Sequence, residues 1–427
     1  MSEPEFTFDR GIASMTWGTA GAPDYVEFMF DFLRPDRRTG DVRAELVVRN
    51  GTSTPLYRTP LSLTGPNAKR DAAKDLGDVA KGELKAVNWR ERIETACWRV
   101  IDAHRSGRPE INLWDASDPP DAGLLLPPLL VKNDAVIIFG DGGDGKSYLA
   151  LALALSLQTG HPLVGYLRPL GRPRVAYLDW EWRPEPHKKR MRALLGDEPD
   201  ENARLLTYIP CAAEGPLVHQ VDRLRRIFHE RQIEYAVLDS VALGCDGPPE
   251  DALVALAFFQ ALARLEVGAC LLAHTNRSGD PEKPFGSTFW HNSARLTWNV
   301  QKDDDEEGAQ DTDSLRVILH NRKANDGPKS PPVGLEYEFG ARTIINCREV
   351  LATKQKSERA GNSLRGRLIE LLRGTDGATY EDAAMALDST PDYVRKIVQQ
   401  DLGRTFKRFP DRENARITRL GLLGADS

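Results

Sequence analysis

The sequence predicts an α/β protein with a mainly parallel central sheet, a small N-terminal α+β domain before it and a C-terminal helical module after it. Three observations carry this reading. From about residue 129 to 350, β-rich runs alternate with helical stretches, the pattern of parallel strands joined by crossover helices. One strand–helix junction in this part holds a complete GxxxxGK[ST] loop. A polar, charged linker at 351–362 then sets off a last segment, 363–427, with its own helical pattern.

The N-terminal part, 1–107, begins with alternating segments around Tyr25–Phe32 and Val42–Val48, separated by a Pro/Asp/Gly turn. That is a strand–turn–strand signal. A helix follows from Asn88, which can cap it with Glu91 three residues on. Trp89, Ile93, Cys97, Val100 and Ile101 then share a face. Residues 108–128 read as a Pro/Asp-rich connector. In the middle domain, 129–350, strands are expected over 135–139, 174–178, 235–239, 269–274, 296–300 and 315–320. Helices are expected over 146–159, 186–195, 217–231 and 251–265. The acidic stretch 303–307 reads as a solvated loop.

Composition narrows the function classes. With 427 residues the chain is long enough for two or three domains, and 41% hydrophobic against 28% charged residues permits sizeable cores. A net charge of −6 does not mark the whole surface as a nucleic-acid binder, so any such surface is local. The longest apolar run, from Leu149 to Leu157, is half a membrane span. The N-terminal residues lack the basic start and apolar core of a signal peptide. Five scattered cysteines without a CxxC pair argue against a disulfide scaffold or a zinc site. A cytoplasmic, non-membrane protein is expected.

The loop Gly140-Asp141-Gly142-Gly143-Asp144-Gly145-Lys146-Ser147, with Tyr148 after it, is the candidate nucleotide site. Glycines let backbone N–H groups curl around phosphate oxygens, and the helix N-terminus adds partial positive charge. Lys146 would reach the β- and γ-phosphates of ATP, and the Ser147 hydroxyl would ligate Mg²⁺. Asp141 and Asp144 are awkward here, and both side chains are expected to face solvent. Downstream, the apolar run ending in Asp239 offers a second group for Mg²⁺. Ser240 follows it, so the general base is sought elsewhere. Asp179 and Glu181 emerge after the strand that follows the P-loop helix. Glu181 is assigned as base and Asp179 is the alternative.

These pieces resemble the RecA-fold ATPases, especially the RepA-like hexameric replicative helicases of plasmids and related phage proteins. The matching segments are 140–147, 178–181 and 237–240. They are followed in order by Leu272-Ala273-His274-Thr275-Asn276-Arg277, Phe285-Gly286-Ser287-Thr288, Ser293-Ala294-Arg295 and His320-Asn321-Arg322-Lys323-Ala324-Asn325. The resemblance covers about 125–345 and implies a RecA-like core. It further implies that His274 senses the γ-phosphate and that 286–291 forms a loop facing a ring channel through which single-stranded DNA passes. Arg322 or Lys323, expected in a surface turn, would project into the neighbouring subunit's nucleotide. The implied assembly is a homo-oligomer, a hexamer.

In 363–427, Leu364, Leu368, Leu371 and Leu372 share a helical face, 380–387 is a second short helix, and Thr390-Pro391 opens a third. Tyr393, Val394, Ile397, Val398 and Leu402 are expected inward, with Arg395 and Lys396 outward. Between Tyr393 and Arg419 stand eight basic residues (Arg395, Lys396, Arg404, Lys407, Arg408, Arg412, Arg416, Arg419) against three acids. The layout resembles winged helix–turn–helix modules, which implies contact with duplex DNA through its phosphates. Two other readings compete with the helicase. One is an ATP-switched recombination mediator or replication regulator that does not unwind DNA. The other is a small-molecule P-loop kinase.

Overall fold

The computed structural model describes residues 4–52, 54–107, 110–115, 123–181, 183–196, 201–276, 280–302, 314–340, 344–350, 364–373, 377–387, 389–400, 402, 405–411 and 418–422. The acidic stretch 303–307, the linker 351–362, Arg277, Arg404, Arg412 and Arg416 lie outside them. The chain divides into two compact units, 1–350 and 351–427.

In the first unit, β1 (Glu5–Asp9), β2 (Ile12–Trp17), β3 (Val26–Pro35), β4 (Val42–Arg49) and β5 (Tyr57–Ser62) form an antiparallel meander in sequence order. Helices α1 (Pro66–Val79) and α2 (Trp89–Ser106) share its core. Asn88 caps α2 by accepting the Glu91 N–H at 3.2 Å, while its own amide donates to the Glu91 carboxylate at 3.1 Å. The first bond satisfies one of the N–H groups that a helix start leaves unpaired, and the second orients the capping side chain. Trp89, Ile93, Ala96, Cys97 and Val100 are buried, and Trp89 stacks on Phe28.

A short hairpin, β6 (Leu124–Leu126) and β7 (Leu130–Val131), leads into the central sheet. Six strands of that sheet run parallel: β8 (Ala135–Gly140), β9 (Val175–Asp179), β10 (Thr207–Pro210), β11 (Tyr235–Asp239), β12 (Gly268–His274) and β13 (Leu296–Lys302). Then β14 (Ser314–Ala324), β15 (Val333–Phe339) and β16 (Ile344–Val350) continue it antiparallel. The spatial order is β10-β9-β11-β12-β8-β13-β14-β15-β16. The crossover helices are α3 (Lys146–Thr159), α4 (Pro184–Leu195), the single turn α5 (Glu201–Arg204), α6 (Leu217–Arg231), α7 (Val241–Gly244) and α8 (Ala252–Ala263), and α9 (Thr288–Ser293) precedes β13.

Both faces of the parallel part are covered, and side chains alternate between two cores. Val136, Ile138, Tyr177, Val237 and Leu272 pack with α3, whereas Ile137, Phe139, Leu178, Leu238 and Leu271 pack with α6 and α8. Double burial explains why these strands read as unbroken apolar runs. From Leu149 to Thr159 every residue of α3 is buried, as expected for a helix apolar on all sides. The N-terminal meander is tied to this body through Arg226 of α6, which pairs with Asp31 and, at 2.9 Å, with Glu45. Its guanidinium also lies 4.3 Å from the Phe32 ring centroid.

In the second unit, helices Leu364–Arg373, Tyr380–Ala386 and Pro391–Gln400 precede a hairpin of β17 (Phe406–Pro410) and β18 (Thr418–Leu422). Leu368, Leu372, Val394, Val398, Phe406 and Leu420 form its core. Two expected core residues are not in it: Tyr393 is 52% exposed and Leu402 38% exposed. The inward stripe of the third helix is Val394, Ile397 and Val398, and Tyr393 falls beside it, three residues before Lys396.

Candidate functional site

Four neighbouring parallel strands, β9, β11, β12 and β8, end on Asp179, Asp239, His274 and Gly140. Asp239 is in register with Asp179, and His274 with Gly140. The candidate residues therefore line one edge, the carboxyl ends of the strands, where open α/β sheets bind ligands.

The loop turns from β8 into α3 on glycines. Gly145 holds φ +75°, and a Cβ there would meet Leu315 and Tyr337 at 3.2 Å. At Gly140 a Cβ would lie 2.6 Å from the Val300 carbonyl. Lys146 Nζ donates to the carbonyls of Gly140 at 3.0 Å and Asp141 at 2.7 Å. Burial lowers its pKa despite the nearby carboxylates of Asp144, Asp239, Glu181 and Asp141.

Asp144 departs from expectation. Its side chain does not face solvent: the residue is 6% exposed, and Oδ2 accepts the Asp141 N–H at 2.7 Å. The Asp141 N–H, presented by the tight loop, draws the carboxylate inward. Burial raises the Asp144 pKa, against the opposing pulls of that hydrogen bond, Lys146 and Lys302. Asp141 is half-buried.

Asp239 is 2% exposed and accepts the Tyr177 hydroxyl at 2.8 Å and the Ser147 hydroxyl. Burial, with Glu181 next, pushes its pKa up to about 6. Hydroxyl and carboxylate oxygens beside further carboxylates fit a hard divalent cation such as Mg²⁺. Ser147 and Asp239 would hold it.

The two candidate bases are in different circumstances. Asp179 is 1% exposed and engaged: Oδ1 accepts the Glu181 N–H at 2.7 Å, and Oδ2 meets His187 Nε2 at 2.8 Å and the Tyr208 hydroxyl at 2.9 Å. Glu181 is exposed, yet near enough to Asp239 to raise its pKa. The alternation of β9 hides Tyr177, and no sequence signal marks His187 or Tyr208 as partners of Asp179.

His274 ends β12 exposed. The next residue, Thr275, donates its N–H to the Gly140 carbonyl at 3.2 Å, and the His274 carbonyl accepts Phe285 N–H at 2.7 Å. The segment 286–291 is not the open loop expected. Ser287 caps α9, and Trp290 is buried with its indole N–H donating to the Pro249 carbonyl at 2.8 Å. Its ring packs edge-on against Phe258, which draws the segment into the core.

Arg322 and Lys323 also lie elsewhere than expected, inside β14 rather than in a turn after it. Lys323 Nζ donates to the carbonyls of His291, Asn292 and Ala294 at 3.0, 2.6 and 2.6 Å. It thus caps the end of α9, where a cation is favoured. Arg322 is the extra residue at a register shift between Thr297 and Trp298 of β13. Bulges re-aim side chains, and here the guanidinium reaches Glu282 at 2.7 Å and Asn299 at 3.4 Å. Asn299 in turn donates to the Phe139 carbonyl on the P-loop strand at 3.4 Å.

A family of sequences described as the AAA domain matches residues 104–280, a stretch that holds the P-loop, Asp179, Glu181, Asp239 and His274. No curated protein matches the chain. Among solved structures it is similar to a KaiC-like protein from the hyperthermophilic archaeon Pyrococcus horikoshii, at 15% identity over 55% of this chain and 100% of that one, with a TM-score of 0.39. It is also similar to the flagellar accessory protein FlaH from Methanocaldococcus jannaschii, at 17% identity over 51% and 90%, with a TM-score of 0.36. The loop, the mainly parallel sheet and the AAA match over 104–280 together fit a nucleotide-binding P-loop ATPase domain. No helix among the described residues is long and apolar enough to cross a membrane.

Proposed function

We propose that this chain is a Mg²⁺-dependent, DNA-stimulated ATPase that works as a ring-forming helicase in plasmid or phage DNA replication. The observation that carries the hydrolytic part is the convergence of Lys146, Ser147, Asp239 and Glu181 on one sheet edge. Lys146 exchanges its two loop carbonyls for phosphate oxygens and stabilises the charge that develops on the transferred phosphoryl group. Ser147 and Asp239 would hold Mg²⁺, which would screen the phosphate charge. Glu181, exposed and free of Asp179's hydrogen-bonding load, orients the attacking water and accepts its proton. His274, one strand from the P-loop and joined to it through Thr275, reports the state of the γ-phosphate to the segment 280–291.

Two features support the DNA part: the order of motifs shared with RepA-like helicases, and the basic surface of the second unit. Arg395, Lys396 and Lys407 sit on its third helix and hairpin, and the fold there is read as a winged helix–turn–helix on duplex DNA. In the proposed hexamer Arg322, not Lys323, is the cation shared across the interface. Its ion-pair partner Glu282 is 61% exposed, so an anion approaching from solvent can compete for the guanidinium. Lys323 is held by three carbonyls.

The test is ATP turnover with and without single-stranded DNA, followed by unwinding of a forked duplex. DNA stimulation with unwinding is expected. Stimulation without unwinding selects the ATP-switched regulator, and turnover indifferent to DNA overturns both. Mixing Lys146→Ala with Arg322→Ala subunits should partly restore turnover, because some interfaces then pair an intact loop with an intact arginine. No recovery, with a monomeric mass under ATP, refutes the shared site.

A further inference from the structure

We infer that His187 and Tyr208, acting through Asp179, are positioning residues for the general base Glu181. The inference rests on the reading of Glu181 as the base and deepens it.

The path is short and buried. Asp179 cannot hold a carboxylate at 1% exposure without donors. Among the described residues three donors reach it, divided between its oxygens. Oδ2 takes the ring N–H of His187 and the hydroxyl of Tyr208, leaving Oδ1 aimed at the Glu181 N–H. Burial, then the hydrogen bond to Asp179 and its charge, push the Tyr208 hydroxyl well above its ordinary value, so it stays a neutral donor. His187 Nδ1 is buried and has no partner among the described residues. An unmatched acceptor is tolerated better than an unmatched N–H, which selects the tautomer protonated on Nε2, the one that donates to Asp179.

The backbone between Asp179 and Glu181 is anchored further by Trp180 N–H on the Asp239 carbonyl at 2.7 Å and by the Asp179 carbonyl, which accepts Cys211 N–H at 2.8 Å. Glu181 is thus referred to two aspartates, one beside the metal-binding hydroxyl and one locked by α4 and β10. The same helix reaches the P-loop side of the site, since Arg190, one turn after His187, lies 4.3 Å from the Tyr148 ring centroid. Removing the His187 donor should let Asp179 rotate toward Tyr208 and release the Glu181 N–H, displacing the carboxylate from the water it orients. His187, Tyr208 and Asp179 are not among the residues assigned to phosphate or Mg²⁺, so ATP binding should be spared.

The experiment measures kcat, KM and the affinity for a non-hydrolysable ATP analogue in the full chain. The variants are His187→Ala, His187→Gln, Tyr208→Phe, Glu181→Gln and the double variant His187→Ala/Glu181→Gln. His187→Ala should lose roughly tenfold or more in kcat, as small misplacements of a reacting group do, with analogue affinity unchanged. Gln can place an N–H near the position of Nε2, so His187→Gln should recover most of the loss. In the double variant the two losses should not multiply, because a mispositioned base and an absent base fail at the same step. Should His187→Ala fail to fold by thermal melting, Tyr208→Phe removes a donor from the same oxygen without a cavity and should show the same split. Wild-type kcat in a folded His187→Ala or Tyr208→Phe protein, or losses that multiply, overturns the inference. Wild-type turnover in Glu181→Gln overturns the base assignment itself and the role of His187 with it.

Discussion

The edge of the nine-stranded sheet and the C-terminal unit place their charges in opposite ways. At the sheet edge Asp144, Asp179 and Asp239 are buried, each held by specific donors. In the C-terminal unit the described core is apolar apart from Tyr380, and Arg395, Lys396 and Arg408 lie at the surface. A buried charge acts through position, so removing its partner is felt as an almost all-or-none loss. A surface charge acts through the sum, so each one contributes a small, salt-dependent share. The first kind of site should break on single atoms and the second only by degrees.

The largest effects are expected at the edge. Lys146→Ala should abolish turnover and weaken ATP binding, since charge-assisted contacts to phosphate disappear. Glu181→Gln should nearly abolish turnover and leave ATP binding intact, because the base acts at the chemical step. Equilibrium binding alongside single-turnover hydrolysis separates the two. Loss of binding in Glu181→Gln would show that the carboxylate is part of the nucleotide cradle instead.

Next in size is Asp144→Asn. The amide oxygen can still accept the Asp141 N–H, so the loop keeps its shape while a buried negative charge beside the phosphate site is removed. Nucleotide affinity should rise by about tenfold, the size expected for a like charge several ångströms away in a partly screened site. Titration with a fluorescent ADP analogue reads this directly. Unchanged affinity would mean that Lys146 and Lys302 already neutralise the carboxylate.

This residue also marks the limit of what the sequence discloses. The loop, its strand and its helix were legible because glycine spacing and apolar runs are local signals, and the expected strand 235–239 and helices 146–159 and 217–231 coincide with β11, α3 and α6. The direction of a side chain within the loop is not local. Asp144 turns inward because a backbone N–H three residues earlier needs an acceptor. β14 was expected to end at 320, before a polar run, yet it continues to Ala324. Its partner β13 supplies what the run lacks: the Asn321 amide donates to the Thr297 carbonyl at 3.3 Å. β10 was missed altogether. It has four residues, Thr207-Tyr208-Ile209-Pro210, and ends in a proline that reads as a breaker. An edge strand tolerates that proline, and Tyr208 within it is one of the donors on Asp179.

Deleting 361–427 should weaken duplex binding and flatten its salt dependence, while basal turnover survives. The unit 1–350 contains the whole sheet and its own cores, so hydrolysis does not need the second unit's fold. The slope of log affinity against log salt counts the phosphates neutralised. An unchanged slope in the truncated protein would assign the basic surface to another partner.

The smallest effect, and the sharpest test of graded behaviour, compares two adjacent cations on the helix Pro391–Gln400. Lys396 is exposed, whereas Arg395 pairs with Asp392 at 2.7 Å and lies 5.1 Å from the Tyr380 ring centroid. An exposed i,i+3 pair of this kind is worth at most ~1 kcal/mol, and the ring contact adds about 0.5–1 kcal/mol. To reach a phosphate, Arg395 must give up both, so part of its gain on binding is cancelled. Lys396 gives up only water. Lys396→Ala should therefore reduce the salt slope by about one unit, the share of one phosphate contact, and Arg395→Ala by clearly less. Tyr393, exposed one turn before Lys396, is placed to contact the same strand, and Tyr393→Ala should weaken binding without changing the slope. Equal slopes for the two cation variants would mean that Asp392 releases Arg395 on binding. A larger drop for Arg395→Ala than for Lys396→Ala would move the contact surface to the Tyr380 side of the helix.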